Sequence, residues 1–508
     1  MRTRARAGAL LLASGLVLTY AAAAIVARTS IQDLTPSTIE SQRPPATSPD
    51  LAADLDEIFA DPVIARALVG IRVESLRTGA VLYERNGGKL VVPASNMKLV
   101  TMSVAAERLG WDYRFETRLE QTGRVEDGTL KGDLIVTGGG DPSIVSLDTG
   151  PPPVFDEWAQ ALRAAGIRRV DGRLIGDDNA FDDEGVGPGW AWDYLTAGYA
   201  APSSALSYNE NVVNVRITPD RTEGEGAAIA LAPPAKIFEI DNQVTTGPSG
   251  SAPRVELVRL PFTTRLTVRG VVPLGGVTIS RTMAVDNPTR FFVEGLSAAL
   301  AARGIEVRGG AADIDDIADP PPAASRRLVA RRESLPLSFL AGHFIKDSQN
   351  FYGEMLLKTI GRAAGGIGST TSGRQAVRET LTTWDVPADA IVMYDGSGLS
   401  RYNYVTADAI VAILKHVWQD ERLRGRFLAL LPVGGHDGTL ESRMKDSILS
   451  GRVQAKTGTI SNVRSLSGFA ETKSGEKIVF SMIANHFTAS TAAIDAVVEK
   501  ALVRLVGR

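Results

Sequence analysis

The chain has 508 residues, 44% of them hydrophobic and 22% charged, with a formal net charge of −3. That balance fits a globular protein of several domains; it excludes a disordered or fibrous chain and argues against a dedicated nucleic-acid binder. Cysteine is absent and only four histidines occur (His343, His416, His436 and His486), which removes thiol catalysis, disulfides, iron–sulfur clusters and Cys-based zinc sites.

Arg2, Arg4 and Arg6 precede an uncharged, mostly apolar run from Ala7 to Ala27. This is the pattern of an export signal, with Leu10 to Leu18 as its apolar core and Ala21 to Ala24 as a cleavage region. The run is also long enough to serve as a retained membrane anchor. On either reading the arginines stay cytoplasmic and the bulk of the chain lies outside, in the periplasm, the cell wall or the medium. Residues 1–28 are therefore assigned as signal or anchor. Residues 29–50, rich in Ser, Thr and Pro, are assigned as a linker.

Residues 52–68 carry a short amphipathic pattern broken at Asp61-Pro62. Ile71, Val73, Val81 and Tyr83 alternate on two runs around Arg77-Thr78-Gly79, which predicts a β-hairpin. A helix is expected from Ser95 to Leu109, with Met97, Val100, Val104 and Ala105 as its apolar positions and Gly110 as its stop. From about 116 to 325 the texture becomes β-rich. Asp133–Thr137, Arg173–Gly176, Val212–Thr218, Arg254–Leu260 and Thr264–Val271 read as strands between Gly and Pro turns. Ala161–Ile167 and Ala299–Ile305 look alike, each a helix ending at Gly and feeding a strand; reuse of a common connection is favoured over a duplicated unit. Pro320-Pro321-Pro322 reads as a second linker.

Beyond it, helices are expected over Leu337–Ile360, Gly373–Thr382 and Ala407–Trp418. Strands are expected over Val453–Ile460, Ser465–Glu471 and Lys477–Asn485. Ile494, Val497, Val498, Ala501, Leu502 and Leu505 mark a final helix. α/β texture at both ends thus encloses a β-rich stretch. We expect one domain from 51–115 and 325–508, interrupted by inserted β-rich material at 116–324.

No His-Glu-x-x-His, Gly-x-Ser-x-Gly or Gly-x-x-x-x-Gly-Lys motif occurs. Chemistry is instead suggested by three other elements. Ser95-Asn96-Met97-Lys98 is a Ser-x-x-Lys motif; on a helix, i and i+3 share a face about 5–6 Å apart, so the amine can take the hydroxyl proton. As a base, Lys98 must fall from a reference pKa of about 10.4, through desolvation or a nearby cation. Ser442–Lys445 and Ser474–Lys477 match the same pattern, and a helix cap with an exposed lysine is the plain alternative for Ser95. Ser348-Gln349-Asn350 is a Ser-x-Asn motif that could shuttle a proton and hold a substrate amide; Ser207-Tyr208-Asn209 matches it too. Lys456-Thr457-Gly458-Thr459 lies on a strand. There Gly458 would let a substrate backbone approach, the threonines offer hydroxyls, and Lys456 adds charge that can depress Lys98 and attract a carboxylate. Only the Ser95 copy precedes the other two motifs. Ser-x-x-Lys, Ser-x-Asn and Lys-Thr-Gly in this order, on helix, loop and strand, form the set shared by penicillin-binding proteins and class A β-lactamases.

The sequence resembles the class C low-molecular-mass penicillin-binding proteins, D-alanyl-D-alanine carboxypeptidases and endopeptidases. Beyond the three motifs, the resemblance is carried by Pro93-Ala94-Ser95 and Gly138-Gly139-Gly140-Asp141-Pro142. Ala201-Pro202-Ser203-Ser204-Ala205-Leu206, Asp395-Gly396-Ser397-Gly398-Leu399-Ser400 and Gly438-Thr439-Leu440 extend it across most of residues 51–490. It implies an α/β (α+β) transpeptidase domain of the penicillin-binding and serine β-lactamase type with large β-rich insertions. Ser95 would be the acylated nucleophile and Lys98 its base. Ser348 and Asn350 would relay protons and hold substrate, Lys456 and Thr459 would bind the carboxylate side, and the N–H groups of Ser95 and Thr459 would form the oxyanion hole. Thr457 and Gly458 complete the expected substrate edge. The implied partners are peptidoglycan stem peptides and β-lactams; no cofactor and no metal are implied. Gln349 stands where the family often has Asp or Asn.

Two other readings remain at this stage: a serine β-lactamase, and a non-catalytic cell-wall binding or scaffold protein that keeps the fold. Among lesser features, the acidic residues Asp177, Asp178, Asp182, Asp183 and Glu184 read as turn acids rather than a cation site. Trp190 and Trp192 read as packing, and His436 as a surface loop residue.

Overall fold

A computed structural model describes residues 49–146 and 150–508. The expected export segment and residues 29–48 of the expected linker lie outside these residues. Pro49 and Asp50 already belong to helix α1 (Pro49–Ile58). Among the described residues no helix is long and apolar enough to cross a membrane.

The predicted hairpin forms from β1 (Leu68–Ser75) and β2 (Val81–Arg85), paired antiparallel with Val73 opposite Tyr83. After it comes α2 (Met97–Arg108), preceded by a 3-10 turn at Ala94–Asn96 that holds Ser95. The first and last parts of the chain meet here. β1 pairs along its whole length with Lys477–Asn485, so the N-terminal hairpin joins a sheet whose other three strands come from the C-terminal end.

The chain between α2 and residue 333 makes its own layers. Its helices are α3 (Pro153–Ala164) and α4 (Pro288–Ala302), which pack through Phe155, Trp158 and Phe292; the ring centroids of Phe155 and Phe292 are 5.4 Å apart. Three short bent strand pairs stack in parallel: residues 129–137, 169–177 and 306–313. Gly132, Gly172 and Gly309 form their corners. Gly172 N donates to Gly132 O at 3.1 Å and Gly309 N to Gly172 O at 2.9 Å. A Cβ on Gly172 would sit 2.3 Å from Gly132 O, and one on Gly309 2.5 Å from Gly172 C. The corners therefore rest backbone on backbone, a spacing only glycine permits. The look-alike segments at 161–167 and 299–305 take equivalent places in this stack. Each ends a helix at a left-handed glycine, Gly166 or Gly304, and feeds the next tier. Pro320–Pro322 does not separate two bodies; it leads into the strand Arg327–Glu333, which pairs with Glu116–Gln121 and closes the sheet of this region. Leu119, Val136, Leu174, Val213, Val268, Phe292 and Leu296 lie in the apolar core of these layers.

The remaining helices are α5 (Leu337–Lys346), α6 (Asn350–Ala363), α7 (Thr370–Thr383), α8 (Ala407–Gln419) and α9 (Glu421–Leu430). The single helix expected over Leu337–Ile360 is thus two helices, broken at Asp347–Gln349. Apolar periodicity continues across the break and hides it, but Ser348 sits at φ +62, a left-handed conformation that ends α5. Strands β3 (Val453–Ile460), β4 (Val463–Glu471) and β5 (Lys477–Asn485) follow, then α10 (Thr491–Val506). The sheet order is β2-β1-β5-β4-β3. α1 and α10 cover one face, where Leu55, Ile71, Phe480, Val497 and Leu502 share a core. α2 and α8 cover the other, with Met102, Ile410, Val479 and Ile483. β3 is an edge strand, paired through its length only with β4.

Candidate active site

Ser95 lies in the 3-10 turn ahead of α2, and the turn is pinned from below. Asn96 Nδ2 donates to Ser467 Oγ at 2.6 Å, and Ser465 Oγ donates to Pro93 O at 2.8 Å, so β4 fixes both sides of Ser95. Ala94, immediately before it, is buried at φ +47. Left-handed non-glycine residues thus occur at two of the three motifs, Ala94 and Ser348, and such strain persists only where its surroundings enforce it.

Lys98 is fully buried. Its Nζ lies 2.9 Å from Ser95 Oγ, 2.6 Å from Asn350 Oδ1 and 2.8 Å from Ser397 O. Burial pushes the amine down to about 7, against the opposing pull of the Asp395 and Glu354 carboxylates. Desolvation is therefore the cause, of the two that the sequence left open. Proton bookkeeping then fixes the direction of the Ser95 bond. The carbonyl oxygens of Asn350 and Ser397 can only accept, so they take the two N–H groups of a neutral amine. The remaining lone pair faces Ser95 Oγ.

The carbonyl of Ser397 is itself held. Glu354, on α6 one turn beyond Asn350, accepts from Gly396 N at 3.1 Å and Ser397 N at 2.9 Å. Asp395 accepts from Gly398 N at 2.8 Å, from Asn403 Nδ2 at 2.6 Å and from Trp190 Nε1 at 2.8 Å. Burial pushes Glu354 up, and the charge of Asp395 adds to this. The sequence had offered Asp395–Ser400 only as part of a resemblance. Its place in the structure is the ceiling over Lys98.

Lys456 is also fully buried; its Nζ donates to Ser348 Oγ and to Thr457 O, both at 2.8 Å. Burial lowers its pKa, and the charges of Lys98 and Arg464 lower it further. Asn350 Nδ2 donates to Tyr199 O at 2.9 Å, so both ends of this amide are engaged with the protein. Gln349 points away from the cleft: its Nε2 donates to Glu210 at 2.5 Å, and the same carboxylate meets His343 at 2.9 Å. Hydrogen bonding to Glu210 raises His343 to about 9.

Ser95, Ser348, Asn350, Thr457, Gly458 and Thr459 line one open cleft of about 460 Å³, with Tyr194, Tyr199, Thr439 and Arg464. Lys98 and Lys456 lie beneath it. Thr457 Oγ1 donates to Thr439 Oγ1 at 2.7 Å. Gly458, in the cleft lining, also has a close neighbour within the protein. A Cβ there would lie 2.9 Å from Pro93 O, 2.9 Å from Ser95 N and 2.2 Å from Ser465 Oγ. It is the protein's own Ser95 turn that comes close at this glycine.

Thr439 entered the sequence analysis only as part of the resemblance, and Tyr199 and Arg464 did not enter it at all. Their only signal is position: Arg464 stands directly opposite Thr459 across the β3–β4 pair, which a hairpin register would have placed. Other residues fall away from the cleft. Trp190 is buried, as read, but Trp192 is 64% exposed. His436 is exposed and lies outside the cleft lining. The acidic residues separate: Asp177 pairs with Arg326, Asp182 with Lys358 at 2.6 Å, and Asp178 approaches Asp313 and Asp315.

Comparison with known proteins covers almost the whole described chain. The family model of the D-Ala-D-Ala carboxypeptidase 3 (S13) family matches residues 51–505. A D-alanyl-D-alanine carboxypeptidase of Actinomadura sp. (strain R39) is 34% identical over 448 residues, 86% of this chain and 81% of that protein. The crystal structure of penicillin binding protein 4 (dacB) from Haemophilus influenzae superposes with a TM-score of 0.76 at 24% identity, covering 89% of this chain and 98% of the other. The same protein complexed with a β-lactam gives a TM-score of 0.71 at 22% identity, over 90% and 99% of the two chains. These likenesses establish the penicillin-binding fold with its β-rich middle region.

Proposed function

Since the chain belongs to the D-Ala-D-Ala carboxypeptidase 3 (S13) family and is a serine-type D-alanyl-D-alanine carboxypeptidase, we propose that Ser95 is its nucleophile and Lys98 the base that activates it. The observation that carries this reading is the partner set of Lys98: two acceptor-only oxygens and one hydroxyl around a buried amine. A neutral lysine there can accept only the Ser95 proton.

Ser95 Oγ then attacks the carbonyl between the two terminal D-alanines of a stem peptide, and its proton passes to Lys98. The oxyanion is held by the N–H groups of Ser95 and Thr459, on the β3 edge that Gly458 brings against the Ser95 turn. Ser348, tied to Lys456, relays a proton to the departing amine, and D-alanine leaves. Asn350 holds Lys98 in place. Water releases the shortened peptide from the Ser95 ester. A strand-like substrate pairs with the open edge of β3, where Thr457 and Thr459 offer hydroxyls. β-Lactams acylate the same serine. The same step applied to a cross-link between stem peptides would make the protein an endopeptidase. The enzyme works on the cell wall, outside the cytoplasm, with residues 1–28 acting as export signal or anchor.

The test is covalent labelling with a fluorescent penicillin, beside a Ser95→Ala variant, with D-alanine release from a blocked D-Ala-D-Ala peptide followed in parallel. Adduct and release are expected in the native protein, and neither in the variant. A folded native protein that takes no label would refute Ser95 as nucleophile.

A further inference from the structure

Of the side chains lining the cleft, Arg464 alone carries a formal charge. The two buried lysines are engaged beneath it: Lys98 by Ser95, Asn350 and Ser397, and Lys456 by Ser348 and the Thr457 carbonyl. A substrate with a free terminus, by contrast, brings an obligatory anion. The residue whose amine departs carries its own α-carboxylate, two bonds from the reacting nitrogen.

Arg464 is fixed in place before any substrate arrives. It stands opposite Thr459 across the β3–β4 pair and donates from Nη1 to Thr459 Oγ1. Its Nε and Nη2 hold both carboxylate oxygens of Asp495, on α10, at 2.7 and 2.5 Å. A guanidinium has five N–H donors. These three bonds leave one free on each terminal nitrogen, the pair that makes a forked contact with a carboxylate. Asp495 is shared with Arg443, which meets it at 3.1 Å and meets Glu499 at 2.7 Å, so the cluster pairs two guanidiniums with two carboxylates, and Arg464 is the member of it that lines the cleft. The side chain is 15% exposed, so the loss of rotamer freedom that usually opposes binding by an arginine has already occurred on folding.

We propose that Arg464, with the Thr459 hydroxyl beside it, is the carboxylate site of the cleft, and that it makes the enzyme select a leaving residue with a free α-carboxylate over the same residue as an amide. Lys456, to which the sequence first assigned this contact, instead organises Ser348. The inference rests on the carboxypeptidase reading and names the chemistry by which that site chooses its substrate.

The experiment compares kcat/KM for a blocked D-Ala-D-Ala peptide and for its C-terminal carboxamide, in the native protein, Arg464→Gln and Arg464→Lys. The native protein is expected to favour the acid by about tenfold to a hundredfold, the range of a charge-assisted contact. Arg464→Gln should lose that preference through the acid alone, its rate on the amide holding. Arg464→Lys, which keeps the charge without the fork, should fall between. A native preference near one overturns the proposal without any variant. So does an Arg464→Gln protein that slows equally on both peptides, which would make the residue a structural tie to α10. Penicillin labelling separates the two ideas: a protein that labels at Ser95 but ignores the terminal carboxylate retains the nucleophile and loses only this site.

Discussion

Two lysines, one packed against the start of α6 and one in its middle, are equally hidden and differently employed. Lys98, against the first residue of α6, is 0% exposed; Lys358, two turns along that helix, is 1% exposed. Both aim the amine at backbone carbonyls. Lys358 also meets the Asp182 carboxylate at 2.6 Å and lies 5.8 Å from the centre of the Phe181 ring. Among the described residues no carboxylate touches Lys98; Glu354 and Asp395 face it only at a distance, each bound to backbone N–H groups instead. Burial alone does not make a lysine a base. Burial with the counter-charges turned away does, while the same burial with a counter-charge in contact makes a tie.

The largest effect should come from breaking the Lys98 side of this contrast. Lys98→Met should slow acylation of Ser95 by about 10²–10⁴, the usual contribution of a general base, as read by the rate of penicillin adduct formation in mass spectrometry. Thermal stability should not fall with it, because methionine fills similar volume and has no charge to desolvate.

Next in size is the pH profile of the native protein. The neutral amine is the working form, so acylation should drop about tenfold per pH unit below about 7 and level off above it. Stability carries the same signature. The folded value of Lys98 lies below the unfolded value of about 10.4, so the unfolded chain binds more protons between them. The contribution of Lys98 to stability therefore rises with pH from about 7 to about 10, and Lys98→Met should lack that rise in thermal melts.

The smallest effect on chemistry should come from the other lysine. Lys358→Met removes the partner of Asp182 and of two carbonyls, and should cost about 1–3 kcal/mol in denaturant unfolding. Acylation should be nearly unchanged. A large loss of acylation in this variant would show that the two regions are coupled along α6.

Local pattern was enough for the parts of the molecule that follow a period. β3 and β5 run over the residues their alternation marks, and α10 contains the whole apolar set from Ile494 to Leu505. The three motifs were legible because their order along the chain is itself informative. What failed was whatever breaks a period or depends on distant backbone. The α5–α6 break is invisible in the apolar spacing, although it places Ser348 against Lys456. The partner of Gly458 is the turn at Pro93–Ser95, far away in sequence, so only the folded chain reveals that the glycine makes room for the protein itself. Arg464 carries no motif. It matters because a register of two strands sets it beside Thr459, and a helix at the end of the chain supplies Asp495.

The glycine-cornered tiers of the middle region have a consequence of another kind. Through strand pairing each tier bonds only to its neighbours, as in a short one-dimensional array, while α4 packs across the 169–177 and 306–313 tiers and ties them to one core. The 306–313 tier is terminal and has one neighbour; the 169–177 tier has two. Opening should therefore begin at the outer tier, which has the fewest strand partners. An array of this sort can lengthen or shorten by whole steps at its free end without disturbing the strand that carries Lys456.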